Sequence, residues 1–132
     1  LQINYINRFY QGQTRITKLT ALDNQYSENP QLNEALINAY IEQGETRFAI
    51  SRYQQHTAMG HTVTTDTALT IAALSREMQN NTLADRIVAE QINQVTYQES
   101  YRQQQLMAAL SQFEDQTTAL NLAKQLLAKC AS

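Results

Sequence analysis

Apolar residues in this chain recur with a helical period. From Leu32 they continue at Ala35, Leu36, Ala39 and Tyr40, the i, i+3, i+4, i+7, i+8 spacing that lays one stripe along a helix. Pro30 suits the first turn of that helix, where a missing N–H costs nothing, and Gly44 ends it. A second helix follows over about 46–59, stopped by Gly60. The β-branched stretch Thr62 to Asp66 reads as a loop ending in a cap, with Thr65 or Asp66 accepting from exposed helix N–H groups. Helices are then expected over about 66–78 and 82–94, separated by the polar break Gln79-Asn80-Asn81. Thr96 and Glu99 have the spacing of a capping box. The last two helices fall near 99–112 and 116–129, joined at Phe113-Glu114-Asp115.

The pattern repeats. Ala49, Ala84 and Ala119 lie 35 residues apart, each with an apolar stripe and a polar break before it and a resumed stripe after it. Gln11-Gly12-Gln13-Thr14-Arg15 nearly repeats Gln43-Gly44-Glu45-Thr46-Arg47 at 32 residues, which implies a shorter connection near Asn29-Pro30. Three glycines and one proline are too few for a sheet with many tight turns. The expectation is one all-α domain of eight helices in four antiparallel hairpins, about 1–29, 30–61, 62–95 and 96–132.

These residues resemble the tetratricopeptide repeat. Leu36, Tyr40, Gly44, Ala49 and Tyr53 stand at that family's signature places, with Ile37 where a small residue is usual. The third hairpin supplies Ile71, Ala72, Ala84 and Val88, with Ser75 and Gln79 replacing Tyr and Gly. The fourth supplies Leu106, Leu110, Ala119 and Ala123, with Glu114 at the Gly place. The resemblance covers most of the chain, although the period is one residue longer than usual and the later closing prolines are missing. It implies a right-handed α-solenoid whose first helices line a concave groove for a peptide or protein surface. The pentatricopeptide repeat shares the period but binds RNA, and the acidity of this chain argues against it.

Carrying the groove positions over gives Glu34, Asn38, Ile41 and Glu42 from the second hairpin. The third gives Asp66, Leu69, Ala73, Arg76 and Glu77, and the fourth Tyr101, Gln104, Ala108, Ser111 and Gln112. Chaperone-binding members of the family hold a terminal carboxylate with Lys, Arg and Asn. Here Glu34 stands where a Lys is wanted and Arg76 is the lone base, so such a clamp is not expected. A neutral to weakly acidic groove would prefer a polar or slightly basic peptide.

Composition narrows the chemistry. The net charge of −2 gives no footprint for nucleic acid, and no run of about 20 apolar residues exists to insert in a membrane. Cys130 is the only cysteine, so no internal disulfide staples the fold, and its thiol is read as buried or terminal without a role. His56 and His61 flank Gly60 and read as two exposed loop histidines without carboxylate or Cys at ligand spacing. Glu42, Glu45, Glu114 and Asp115 sit at helix ends, where carboxylates cap and solvate. No phosphate loop, Ser–His–acid set or HExxH occurs, so neither enzyme activity nor a cofactor is expected.

The ends add an expectation. Leu120, Leu122, Ala123, Leu126 and Leu127 give the last helix more apolar surface than one partner helix covers, and Leu1, Ile3 and Ile6 do the same at the other end. With no Met at position 1, the chain reads as a segment of a larger protein; a homodimer through the last helix is the alternative. A scaffold in a bacterial, periplasmic envelope or polysaccharide export assembly is the first expectation, ahead of a sensor domain or an oligomerisation unit. The alanine repeat is directly testable, because Ala49 should sit where two helices approach closely. Ala49→Leu is expected to cost about 1–3 kcal/mol in a urea melt; an unchanged midpoint contradicts the hairpin reading.

Overall fold

The computed structural model describes residues 2–26 and 29–131; Leu1 and the Cys130 side chain, with the expectations placed on them, lie outside the described residues. The described residues form helices and no strand. They are α1 (Gln2–Phe9), α2 (Gly12–Gln25), α3 (Pro30–Glu42), α4 (Thr46–Ala58), α5 (Thr65–Glu77), α6 (Asn81–Gln94), α7 (Ser100–Ala109) with a 3-10 turn at Leu110–Gln112, and α8 (Gln116–Ala131). The chain divides into two compact units, Leu1–Thr67 and Ala68–Ser132. In the first, α3 packs on α2 and α4, and α1 packs on α2 and α3. In the second, α6, α7 and α8 pack on one another.

The period is visible in the helix starts themselves. Pro30, Thr65 and Ser100 open α3, α5 and α7 at intervals of 35 residues, and Thr46, Asn81 and Gln116 open α4, α6 and α8 at the same interval. Local chemistry explains the spacing. At the end of α3, Gly44 takes φ of 72°, and the Glu45 N–H donates to the Tyr40 carbonyl at 2.9 Å. At the end of α5, Gln79 takes φ of 63°, and the Asn80 N–H donates to the Ser75 carbonyl at 2.8 Å. Both are the left-handed stop that satisfies otherwise orphaned carbonyls. Open space surrounds a Cβ placed on Gly44, so the demand there is for positive φ and not for room.

The fourth hairpin turns differently. Glu114, at the Gly place, does not adopt positive φ. Instead α7 tightens into the 3-10 turn, and Phe113 leaves it extended at φ −68° and ψ 139°. A tighter last turn spends the unpaired carbonyls without a left-handed glutamate.

The N-termini are capped by polar side chains. Asn29 accepts from the Leu32 N–H at 3.0 Å, ahead of Pro30, and Asn80 accepts from the Leu83 N–H at 3.2 Å. Helix α5 begins at Thr65, one residue before its expected start, so Thr64 takes the cap place and accepts from the Thr67 N–H at 3.4 Å. Asp115 caps α8, accepting from the N–H groups of Thr117 and Thr118 and from the Thr118 hydroxyl. The Thr118 hydroxyl, then those backbone donors, hold its carboxyl below the usual range. The expected capping box at Thr96 and Glu99 is not formed. Glu99 itself is the cap residue but makes no side-chain cap bond; its carboxylate meets Arg102 at 2.5 Å. At the other end of α6, the Lys129 ammonium donates to the carbonyls of Ile92, Asn93 and Val95 at 2.7–3.0 Å, where a cation suits the helix dipole.

Leu36, Ile71 and Leu106, one residue from each repeat, are fully buried, and so are Ala49 and Ala84. Ala119 is only half-buried, so the third small contact is looser. Tyr53 is buried, while Tyr40 packs on the core of α1, α2 and α3 and stacks on Phe48 at 5.6 Å. Two expectations about the ends need correction. Ile6 belongs to that core with Ile3 packed against it, so neither is an uncovered end residue. Leu122 and Leu126 are likewise buried, in a helix held by α6 and α7. Gln79 is the one described non-glycine residue at positive φ. Gln79→Gly is expected to raise stability by about 0.5–1 kcal/mol in urea, the left-handed cost less the added chain entropy. A loss of stability would show that the turn does not require that backbone.

Candidate interaction site

The face expected to bind a partner runs along the first helix of each hairpin. In the first unit most of its polar groups already have partners. Glu34 accepts from the Thr64 hydroxyl at 2.8 Å, the Thr67 hydroxyl at 3.0 Å and the Thr64 N–H at 3.2 Å. The Thr67 hydroxyl also lies 3.2 Å from Asn38 Oδ1, so one proton is shared between two acceptors. Together these side chains tie α3 to the start of α5. Glu42 pairs with Arg15 of α2, and Ile41 is half-buried. Asp66 is exposed in the first turn of α5.

In the second unit the face is more open. Leu69 is half-buried, and Ala73 and Glu77 are exposed. Arg76 is committed: its guanidinium lies 2.7 Å from Asp85 and 5.4 Å from the Phe113 ring centroid. On α7 and its 3-10 turn, Tyr101, Gln104, Ala108, Ser111 and Gln112 are exposed, Tyr101 to 69%. Ser111 donates to the Ala108 carbonyl at 2.8 Å.

The histidines are not a matched pair of loop residues. His56 lies in the last turn of α4 and is fully buried, its Nε2 2.9 Å from the Thr62 carbonyl. That contact makes Nε2 the donor, and it closes the loop onto the helix. Periodicity places His56 three residues after buried Tyr53, a signal outweighed in sequence by nearby Gly60. His61 is half-buried, its ring centroid 5.2 Å from that of His56. Among the described residues no group of three or more His, Cys, Asp or Glu gathers as metal ligands, and no helix is long and apolar enough to cross a membrane.

Two clefts beside α2 were not foreseen. One, of about 520 Å³, is floored by the stacked Tyr40 and Phe48 and rimmed by Thr17, Thr20 and Asn24. The other, of about 320 Å³, lies between α1 and α2 and includes Tyr5, Tyr10 and Lys18. The available signal was the density of aromatics from Tyr5 to Tyr10, with Tyr5 and Phe9 one helical turn apart. On α8, Leu120 and Leu127 are each 57% exposed and Ala123 is half-buried, while Leu122 and Leu126 are not available to a second copy. Comparison of the chain with family models, curated proteins and solved structures finds no match in any of the three.

Proposed function

We propose that this chain is a protein-interaction scaffold of the tetratricopeptide type. In this reading its hairpins form a right-handed solenoid, and the first helices present a groove to a peptide or a partner protein's surface. Binding, not catalysis, is its work, and it needs no cofactor. One observation carries the reading. At matching repeat positions the inward residues are alike, Leu36, Ile71 and Leu106, whereas the outward ones differ freely. Glu34, Leu69 and Gln104 share one such place, and Asn38, Ala73 and Ala108 another. An array that repeats its inside and individualises its face has the chemistry of a recognition surface.

The polar groups of the face in the first unit are spent on internal bonds, so the reading places recognition chiefly on α5 and α7. The exposed candidate residues there are small or uncharged apart from Asp66 and Glu77, which suits a polar or weakly basic peptide. A second reading has its own support. Leu120 and Leu127 are seven residues apart on α8, hence on one face, and both are exposed. A homodimer through that face would make the chain an assembly unit.

Selection from a random peptide library tests the first reading. Selected peptides are expected to lose about tenfold or more in affinity for an Ala73→Arg, Ala108→Arg double variant with an unchanged melt. Peptides that bind the variant equally well, or a selection that yields none, would contradict it. A light-scattering mass that doubles with concentration, and returns to 15 kDa in Leu127→Glu, would move the assignment to α8.

A further inference from the structure

We infer that the cleft between α1 and α2 receives an acidic peptide segment of a partner protein, anchored by an aromatic or large aliphatic side chain. The inference rests on the reading of the chain as an interaction module and uses none of the residues assigned to α5 and α7. Tyr5 and Tyr10 line the cleft and meet edge-on at 6.3 Å; outside the lining, the Phe9 ring centroid lies 4.7 Å from that of Tyr5, and Tyr5 and Phe9 are 57% and 61% exposed. Ile6, on the same short helix, is buried, whereas these rings stay outside.

Lys18 brings a cation to the cleft, its ammonium 5.1 Å from the Tyr10 centroid, and Arg8, outside the lining, lies 5.5 Å from the Phe9 centroid. Neither forms an ion pair among the described residues, whereas Arg15, the third cation of this stretch, is taken by Glu42. The net charge of −2 is carried elsewhere, and screening over about 8–10 Å leaves the local patch positive. Rings that cover an apolar side chain, with cations beside them, complement a carboxylate-bearing segment with one such anchor. The cleft of about 320 Å³ suits one side chain rather than a whole domain surface.

The probe is a fluorescein-labelled acidic hexapeptide with one tryptophan, titrated into the full chain by anisotropy. Two matched peptides serve as comparisons, one with lysines for the acids and one with alanine for the tryptophan. Binding is expected for the first alone, weakening as salt rises. Lys18→Met keeps the aliphatic stem over Tyr10 and should weaken it about tenfold, while Lys18→Arg should retain it. Equal binding of all three peptides, or a Lys18→Met variant that binds like the parent, overturns the inference. So does tighter, Lys18-dependent binding of a single-stranded oligonucleotide, which would assign the patch to another class of partner. Library-selected peptides that lose affinity in the Ala73, Ala108 variant, together with an acidic probe that binds Lys18→Met like the parent, would overturn this inference and leave the scaffold reading standing.

Discussion

A hairpin of this chain depends on how its first helix stops. The last carbonyls of a helix need donors, and a left-handed residue swings the next two N–H groups back to supply them. Gly44 does so at no steric cost, and Gln79 does so against its own preference. The turn leaves room for one cap residue before the next helix, so Glu45 and Asn80 open α4 and α6 at the same offset. Where Glu114 does not take up that backbone, the helix shortens and a 3-10 turn fills the gap, yet Asp115 still caps at the matching place. Stop and cap together fix the register of 35 residues.

Register then decides which side chains go inside. A helix pair cut to that length turns Leu36, Ile71 and Leu106 inward at equivalent places, and full burial of a Leu or Ile contributes about 1.5–3 kcal/mol each. Small residues at Ala49 and Ala84 let the paired helices close. Polar residues are then divided between two tasks. In the first unit Glu34, Asn38 and Glu42 serve the fold, bonding Thr64, Thr67 and Arg15. On α5 and α7 of the second unit, and on the aromatic rim of α1, side chains remain that the fold does not consume.

Helix type and the length of the repeat were legible in the sequence, because both follow from apolar spacing and from a few stop residues. Position of the second helix starts was legible too, at Thr46 and Gln116. Finer chemistry was not. Thr96 and Glu99 match a capping box in spacing, but α7 opens with Glu99 as its cap residue, and Arg102 takes the carboxylate. His56 was hidden by Gly60, whose turn suggested a loop, whereas the final turn of α4 carries the ring inward. The candidate face shows the same limit. Its residues follow from repeat position, but Arg76 finding Asp85 and Glu34 finding Thr64 depend on neighbours that no local pattern names.

The most direct measurement is solution NMR of the backbone from Thr65 to Gln94. Helical carbon shifts are expected over Thr65–Glu77 and Asn81–Gln94, interrupted at Gln79 by a coupling pattern for positive φ. Helical shifts running unbroken through Gln79 would contradict this expectation, because the chain would then lack the stop that sets the repeat.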